Sequence, residues 1–426
     1  MSRERVTART RTFIEYTVLT VWIFAAILVA LLAPGQLYAV AISTFGAVVA
    51  ASLLIAWAAE ASEFSISRGF ALAIVAIVQT IPEYFVEGTI AWKAGTDPVQ
   101  WLPNVIANFT GANRLLTGFG WPLIFFTMVI QKRRKGQSAP NVISLRREQS
   151  IEQVFMVGSS LYYVWILIEG SLTILDSVVL VGVFALYMWM LARLPHGRDE
   201  PEEALEGPVK SLAEIKSNGR KIAAIAGIFL FGALTFVLIT DSFVESLQHI
   251  AQMFLEGLLG TSAVFFTIQW VAPVLSEFPE KVTAFNWARQ VKLAPVALLN
   301  FISSSVNELT ALVALIPIVL AISSGGLRAV PLDHEQWIEV FLTMAQSLYA
   351  GAALFDLSYD TQNAVVLLSL WTVSTAIIES RLVIGVMFLI LALYEILRER
   401  HRITAFRAFH QTLYQMVLRK ETIDRK

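Results

Sequence analysis

The most regular feature of the chain is the recurrence of long apolar stretches that are separated by polar segments. About 20 apolar residues are enough to cross the ~30 Å hydrocarbon core of a membrane as a helix. The pattern predicts membrane segments at residues 13–33, 38–59, 69–95, 99–131, 152–170, 173–194, 222–258, 261–289, 293–323, 337–357, 363–379 and 382–398. Some are longer than a crossing needs, so we expect them to tilt, bend or break within the membrane. The sequence therefore predicts an all-α polytopic membrane protein.

Basic residues set the expected orientation of these segments. Of the 32 Lys and Arg residues, 23 lie in residues 1–12, 132–149, 195–221 and 398–426. Such segments face the cytoplasm under the positive-inside rule. We therefore expect an inner-membrane protein with both termini in the cytoplasm. This count requires the long segment after residue 98 to be one broken helix.

One crossing rests on weaker grounds than the others. The C-terminus is cytoplasmic only if residues 337–357 cross the membrane. The polar residues around the start of this segment, which include Asp333, Glu335 and Glu339, are equally compatible with a helix that lies in the membrane interface. Both arrangements stay open from the sequence.

Composition excludes several other classes of protein. Hydrophobic residues make up 56% of the 426 residues and charged residues only 15%, against roughly 25% in soluble domains. The net charge of -1 gives no reason to expect a nucleic-acid partner. With no cysteine, the chain has no thiolate nucleophile or Cys-ligated metal. The expected partners are the lipid bilayer and inorganic cations, and no cofactor is expected beyond a transported cation.

Two stretches of apolar sequence carry a glutamate directly after a proline. Residues 79–83 read Gln-Thr-Ile-Pro-Glu, and residues 276–280 read Ser-Glu-Phe-Pro-Glu. Asn108 follows the first glutamate by 25 positions, and Asn300 follows the second by 20. A proline removes one backbone hydrogen bond of a helix, and the freed carbonyl is tolerated at membrane depth where it lines a cavity. A carboxylate beside such a break predicts a cation site.

Glutamates within the apolar segments are functional candidates because each costs roughly 2.5–3.5 kcal/mol at membrane depth. They are Glu83, Glu87, Glu277, Glu280 and Glu308. The structural alternative is an ion pair with Arg114, Lys281 or Lys93. Two copies of the Pro-Glu element make that alternative less favourable for the glutamates that follow the prolines.

These residues resemble the α-repeats of the calcium/cation antiporter superfamily, which includes sodium/calcium and calcium/proton exchangers. The likeness covers roughly residues 38–131 and 222–323. Val78 and Leu275 replace the family's glycines, and Leu116 replaces a ligand of the first repeat. The chain therefore resembles a divergent, bacterial-type member.

The resemblance implies two inverted repeats of five helices, which together form a ten-helix core. Residues 13–33 are then an extra N-terminal helix, and one C-terminal segment lies outside the core. The implied divisions are a first half at 34–194 with its α-repeat near 69–131, an acidic cytoplasmic linker at 195–221, a second half at 222–398 with its α-repeat near 261–323, and a basic cytoplasmic tail at 399–426.

The resemblance also implies the residues of the cation site. Glu83 and Glu280 match the ion-binding glutamates and are the expected metal ligands, facing each other at the midplane. The other expected oxygen ligands are Glu277, Glu308, Thr80, Ser276, Ser304, Asn108 and Asn300. Arg114 is a built-in counter-ion or gate, with Glu87 as its partner, or a residue that snorkels to the interface, or one that faces another polar helix surface.

The expected function is secondary active antiport of Ca²⁺, or a related cation, against H⁺ or Na⁺. Cations and protons compete for carboxylates in a low-dielectric cavity, and four such acids favour protons as the coupling ion. A monovalent Na⁺/H⁺ exchanger is the alternative if Arg114 occupies the cavity. A membrane cation sensor that does not transport and an intramembrane enzyme are further alternatives. The five histidines form no metalloprotease motif, so we do not expect an enzyme.

Overall fold

The protein is almost entirely helical in the computed structural model, which describes residues 3–62, 80–138, 140–193, 207–215, 217–398 and 404–417. Eight helical runs in these residues are long and apolar enough to cross a membrane. They are Arg11–Leu32, Leu37–Ala59, Pro98–Arg134, Ser150–Glu169, Ile174–Leu191, Asn218–Phe254, Ala294–Ser324 and Ile378–Arg398. The chain is thus an all-α, integral multi-pass membrane protein, as the apolar pattern predicted.

The helices divide into two compact units. Unit 1 contains the described residues of Met1–Asn108 and Pro195–Glu280, and unit 2 contains those of Phe109–Leu194 and Lys281–Lys426. Each unit therefore takes helices from both halves of the sequence. The division into a first and a second half, which was based on the repeats, stays a prediction.

Unit 1 is built around two long helices that pack side by side, Leu37–Ser62 and Asn218–Phe254. Its helices are α1 (Arg3–Leu32), α2 (Leu37–Ser62), α3 (Ile81–Thr96), α4 (Pro98–Trp101), α9 (Gly207–Ala213), α10 (Asn218–Phe254), α11 (Glu256–Leu259) and α12 (Ala263–Ser276). Gly232 of α10 lies against α2, where an added Cβ would come within 2.8 Å of Ile55 Cγ1. The close approach of the two helices therefore requires a residue without a side chain.

Part of the predicted linker is folded against unit 1. Residues 207–213 form α9, whose Val209 and Leu212 are buried against Ala58, Ala61 and Ile225. The sequence interpretation described the whole of 195–221 as a cytoplasmic linker, and its apolar pair Val209 and Leu212 is the signal for this short helix. Residues 194–206 lie outside the described part of the chain.

Two helices, α5 (Ala107–Leu115) and α13 (Phe278–Arg289), begin in unit 1 and end in unit 2. The other helices of unit 2 are α6 (Trp121–Arg134), α7 (Ser150–Glu169), α8 (Ile174–Leu191), α14 (Ala294–Asn307), α15 (Val313–Ser324), α16 (His334–Ala352), α17 (Thr361–Ala376), α18 (Arg381–Arg398) and α19 (Thr404–Val417). A π turn joins α5 to α6, so residues 98–134 form one interrupted helical run. The orientation inferred from the basic residues required this arrangement.

Short antiparallel strand pairs join the ends of α7 to the ends of α16. Strand β1 (Val142–Ser144), before α7, pairs with β4 (Ser358–Asp360), after α16. Strand β2 (Ser171–Leu172), after α7, pairs with β3 (Val330–Pro331), before α16. The two helices therefore run antiparallel beside each other over their whole length. Because α7 is apolar and long enough to cross, this pairing favours a crossing by α16 over a position in the interface.

Candidate functional site

The first Pro-Glu element starts a helix. Thr80 precedes α3, and Pro82 occupies its first turn, where a missing N–H leaves no hydrogen bond unmade. The carbonyl of Thr80 accepts from the N–H of Glu83 at 3.1 Å and of Tyr84 at 3.2 Å. Glu83 lies in this first turn and is buried. Gln79 and the preceding residues 63–78 lie outside the described part of the chain.

The second Pro-Glu element has the same local structure. Helix α12 ends at Ser276, and α13 begins at Phe278 with Pro279 in its first turn. Glu277 connects the two helices, and its N–H donates to the carbonyl of Pro273 at 3.1 Å. Glu280 lies in the first turn of α13. The prolines thus start new helices rather than loosen the interior of an existing one, which corrects the sequence interpretation.

Glu83 and Glu277 come together in unit 1. Both side chains are buried, and a carboxylate oxygen of one lies within 4.8 Å of a carboxylate oxygen of the other. Two oxygens that bind one Ca²⁺ at about 2.3–2.6 Å can be at most about 5 Å apart, so this separation permits a shared ion. Without a cation or a proton, two adjacent buried carboxylates repel each other and lose their hydration.

Three other expected ligands of unit 1 lie close in sequence to the two helix starts. Thr80, Ser276 and Glu280 are all buried. The Ser276 hydroxyl donates to the carbonyl of Ala272 at 3.0 Å, which leaves its oxygen lone pairs available to a cation. That Glu280 faces Glu83 stays a prediction.

A further hydrogen bond in unit 1 joins Asn108 and Glu87. The Nδ2 of Asn108 donates to a carboxylate oxygen of Glu87 at 3.1 Å, and both side chains are fully buried. The amide thus orients Glu87, while the Oδ1 of Asn108 stays available as a hard oxygen ligand.

Lys93 is not placed to neutralise the buried glutamates. Its Nζ lies 2.6 Å from a carboxylate oxygen of Asp241 and 2.9 Å from one of Glu245, both on α10. The same ammonium lies 5.3 Å from the centre of the Trp101 ring. This cluster joins α3 to α10 within unit 1, so one of the three basic partners considered from the sequence has another role.

Three expected ligands of unit 2 are spaced four residues apart along one helical run. Asn300 and Ser304 lie on α14, and Glu308 starts the π turn Glu308–Leu312 that follows it. Residues at positions i, i+4 and i+8 share a face of a helix. Ser304 and Glu308 are buried, and Asn300 is half-buried.

A second π turn, Leu116–Gly120, follows α5. It begins at Leu116, the residue that replaces a ligand of the first repeat according to the family resemblance. Such π turns occur frequently at functional sites. No pattern in the sequence indicated them, since a π turn needs only one extra residue in an otherwise helical run.

Arg114 is fully buried in unit 2 and pairs with Glu339 of α16. The other carboxylate oxygen of Glu339 accepts from Arg381 of α18 at 2.5 Å. Arg114 is therefore buried rather than snorkelling to the interface, and Glu339 is one partner that the structure gives it. The sequence interpretation considered Glu87 and missed Glu339 and Arg381. Both are charged residues at the edges of apolar segments, but nothing in the sequence indicated that they pair with Arg114.

Polar contacts fix the backbone around Arg114 as well. The Nδ2 of Asn113 donates to the carbonyl of Ser305 at 3.3 Å, and its Oδ1 accepts from the Ser347 hydroxyl at 2.6 Å. Gln346 donates to the carbonyl of Arg114 at 2.9 Å. Helix α5 is therefore held to α14 and α16 by hydrogen bonds, and the register of the three helices is specific.

Buried carboxylates at the starts of discontinuous membrane helices are typical of secondary transporters, whose ion sites are formed where membrane helices break. The sequence profile described as Sodium/calcium exchanger protein matches residues 35–193. The crystal structure of the H⁺/Ca²⁺ exchanger CAX is 30% identical in sequence, with a TM-score of 0.86, and the match covers 96% of this chain and 99% of that one. The chain therefore belongs to the calcium/cation antiporter superfamily.

Two more distant structures share the fold. Native YfkE is 12% identical, with a TM-score of 0.54 and coverage of 88% of this chain and 100% of that one. The sodium-calcium exchanger NCX_Mj soaked with Na⁺ and Sr²⁺ is 15% identical, with a TM-score of 0.50 and coverage of 79% and 98%. None of the curated protein sequences compared with the chain matches it.

Proposed function

We propose that the protein exchanges Ca²⁺ for protons across the membrane. The observation that carries this proposal is the approach of Glu83 and Glu277 within 4.8 Å at two helix starts of a multi-pass membrane protein. Membership of an exchanger family and the likeness to an H⁺/Ca²⁺ exchanger over nearly the whole chain support it. A family of exchangers also makes transport a better assignment than catalysis or sensing.

The proposed cation ligands come from both repeats. Glu83 and Glu277 supply the first carboxylate oxygens, and Glu280 and Glu308 complete the set of acids. Hydroxyl and amide oxygens of Thr80, Ser276, Ser304, Asn108 and Asn300 are proposed to bring the number of ligands to the six to eight that Ca²⁺ prefers.

Protons are the proposed coupling ion because the site is rich in carboxylates. When Ca²⁺ leaves, adjacent buried carboxylates need another positive charge, and a proton on a carboxylate oxygen provides it without further ligands. Glu277 stands where the family usually has a hydroxyl, which adds one more acid to the set. Sodium is the second candidate, since oxygen ligands also suit Na⁺.

The proposed orientation is that of an inner-membrane protein with cytoplasmic termini. The four segments rich in Lys and Arg then face the cytoplasm. Both strand pairs support this assignment, because β1 and β4 fall on the predicted cytoplasmic side and β2 and β3 on the opposite side. Helix α16 then crosses the membrane between β3 and β4.

Flux measurements in proteoliposomes test the proposal. The purified chain is reconstituted, and uptake of tracer Ca²⁺ is followed with an outward gradient of H⁺, Na⁺ or K⁺, one at a time. Uptake that depends on the proton gradient is expected. Uptake that depends on the Na⁺ gradient alone would identify Na⁺ instead of H⁺ as the coupling ion. Ca²⁺ binding without any flux would contradict antiport.

A further inference from the structure

The π turn that begins at Glu308 is contacted by a tyrosine of another helix. The hydroxyl of Tyr163, on α7, donates to the backbone carbonyl of Leu309 at 3.0 Å. Both residues are buried, so this hydrogen bond is shielded from water. Leu309 directly follows Glu308, which is one of the proposed cation ligands.

The π turn changes which donors reach the carbonyl of Leu309. In a regular α-helix the N–H of Val313, four residues further on, would donate to it. In this structure the N–H of Val313 donates to the carbonyl of Thr310. A buried carbonyl without a donor is costly at membrane depth, so the hydroxyl of Tyr163 stabilises the π turn relative to a regular helix.

Glu308 lies between two backbone positions that are fixed from other helices. The carbonyl of Leu309 is bonded to α7, and the carbonyl of Ser305 accepts from Asn113 of α5 at 3.3 Å. The N–H of Glu308 donates to the carbonyls of Ser304 and Ser305. These contacts therefore fix the backbone on both sides of Glu308, and with it the direction in which its side chain leaves the helix.

The other π turn, Leu116–Gly120, is also contacted by a side-chain donor of another helix. Gln346 of α16 donates to the carbonyl of Arg114 at 2.9 Å and to the hydroxyl oxygen of Thr117 at 2.6 Å. Helix α7 thus supports the second π turn of the chain and α16 the first, while strand pairs join α7 to α16 at both ends. Because the arrangement recurs, a chance contact is a poorer explanation of the hydrogen bond from Tyr163.

We propose that Tyr163 is a positioning residue, which holds the π turn in the register that directs the Glu308 carboxylate at the transported cation. The inference rests on the proposed function, in which Glu308 is a ligand of Ca²⁺. Without the hydroxyl, the N–H of Val313 is expected to return to the carbonyl of Leu309, as in a regular helix. That shift rotates the residues on the two sides of the turn relative to each other and moves Glu308 from its binding position.

A role of Tyr163 in packing alone is the competing explanation. The centre of its ring lies 6.2 Å from the centre of the Phe109 ring, and such a pair stabilises unit 2 whether or not Glu308 binds an ion. In that case, loss of the hydroxyl would have the same effect on Ca²⁺ binding with and without the Glu308 carboxylate. A positioning role makes the effect depend on that carboxylate.

A double-mutant cycle separates the two explanations. Equilibrium binding of tracer Ca²⁺ is measured with the purified full chain as wild type, Y163F, E308Q and the double variant. We expect Y163F alone to weaken binding by about tenfold, since loss of a group that orients a ligand typically lowers metal affinity by about 10- to 100-fold. In the E308Q background, we expect Y163F to have no further effect.

The matched control is Y162F on the same helix. The hydroxyl of Tyr162 donates to Asp176 at 2.7 Å, and Asp176 is part of the capping box of α8. This variant therefore loses a tyrosine hydrogen bond that leads to the start of α8 and not to the π turn. It should bind Ca²⁺ as the wild type does, even if its midpoint of thermal unfolding falls.

Wild-type affinity in Y163F, or an equal loss in both backgrounds, would overturn the inference. If Y163F does not fold, Tyr163→para-fluorophenylalanine, which fills the volume of the hydroxyl without an O–H, decides the matter by the same criterion. Wild-type affinity in E308Q would also overturn it, because Glu308 would then not be a ligand, while the proposed function would still rest on Glu83 and Glu277. A wild-type chain that binds no Ca²⁺ would refute the proposed function itself.

Discussion

Glu83 and Glu277 are buried with a carboxylate oxygen of each within 4.8 Å of the other, and both are proposed ligands of the transported cation. Removal of one carboxylate takes away a charged ligand, so E83Q and E277Q should each weaken Ca²⁺ binding by about a hundredfold, or about 2.8 kcal/mol. Equilibrium binding of tracer Ca²⁺ to the purified protein measures this. The exposed Glu256 of unit 1 provides the control, and E256Q should bind as the wild type does. Wild-type affinity in both site variants would show that the ion binds elsewhere.

A different outcome is expected for the buried triad of Arg114, Glu339 and Arg381. Removal of one partner from a buried ion pair typically costs about 3–5 kcal/mol, and E339Q removes the negative charge that both buried guanidinium groups contact. We expect E339Q to lower the free energy of unfolding by about that amount, seen as a lower midpoint of thermal unfolding in detergent.

The triad also makes a prediction that distinguishes charge balance from packing. R381M leaves Arg114 paired with Glu339 as a neutral couple, so its loss of stability should be smaller than that of E339Q. Thermal unfolding of the two variants provides the comparison, with E256Q, at an exposed glutamate of unit 1, as a control. A larger loss for R381M would mean that the packing of the long side chain, and not the charge of Glu339, stabilises this region.

Individual residues could be predicted where a local motif marked them. Glu83, Glu277, Glu280 and Glu308 stood out because acids are costly in apolar sequence, and the structure buries all of them. The partner of Arg114 could not be predicted, since Glu339 is 225 positions away along the chain. Pairing between distant helices depends on their packing, which no local pattern specifies.

Among the helices, the starts of α3 and α13 are the elements on which the proposed cation site depends. Pro279 has no N–H to donate to the carbonyl of Leu275, so α12 and α13 stay separate and Glu277 lies at the break. P279A restores that donor. We expect the two helices to join, the Glu277 carboxylate to turn away, and Ca²⁺ binding to weaken by about tenfold, or about 1.4 kcal/mol.

Calcium titration of P279A measures this effect, and P273A is its control because Pro273 lies inside α12. Thermal stability should not fall in P279A, since a helix gains a hydrogen bond. Unchanged Ca²⁺ affinity together with a joined helix would show that the break does not position Glu277 for binding.

For the helices, the sequence predicted the positions of the breaks but not the local structure at each break. A proline within an apolar stretch indicates a break, yet the structure assigns it to the first turn of a new helix. The π turns at Leu116 and Glu308 were not predictable, because they have no compositional signature.

For the molecule as a whole, the crossing of α16 is the feature of topology that most needs a test. The chain has no cysteine, so single cysteines can be introduced without a background. Exposed positions are Ser138 before β1, Gly326 before β3 and Asp356 before β4. We expect a membrane-impermeant maleimide to label G326C in intact cells, and to label S138C and D356C only after the cytoplasmic side is opened. Labelling of G326C and D356C from the same side would contradict a crossing by α16.

The membrane class and most helices were predictable because the bilayer imposes a minimum apolar length on each crossing. The division of the helices into two compact units was not predictable from the sequence. Unit 1 and unit 2 each combine segments from both halves of the chain, and such a division depends on contacts between helices that are far apart in sequence. The inverted arrangement of the two halves stays a prediction from the repeats.

The strand pairs at both ends of α7 and α16 have a mechanical consequence. A shift of one helix along the other by a single residue is about 1.5 Å, enough to break hydrogen bonds such as the 2.8 Å bond from Leu145 to Leu357 and the 2.9 Å bond from Leu332 to Gly170. The strand pairs at both ends of the two helices therefore oppose any sliding of α7 along α16. Among the described residues every strand lies in unit 2, so strand pairing does not oppose axial sliding of α2 along α10 as it does for α7 and α16.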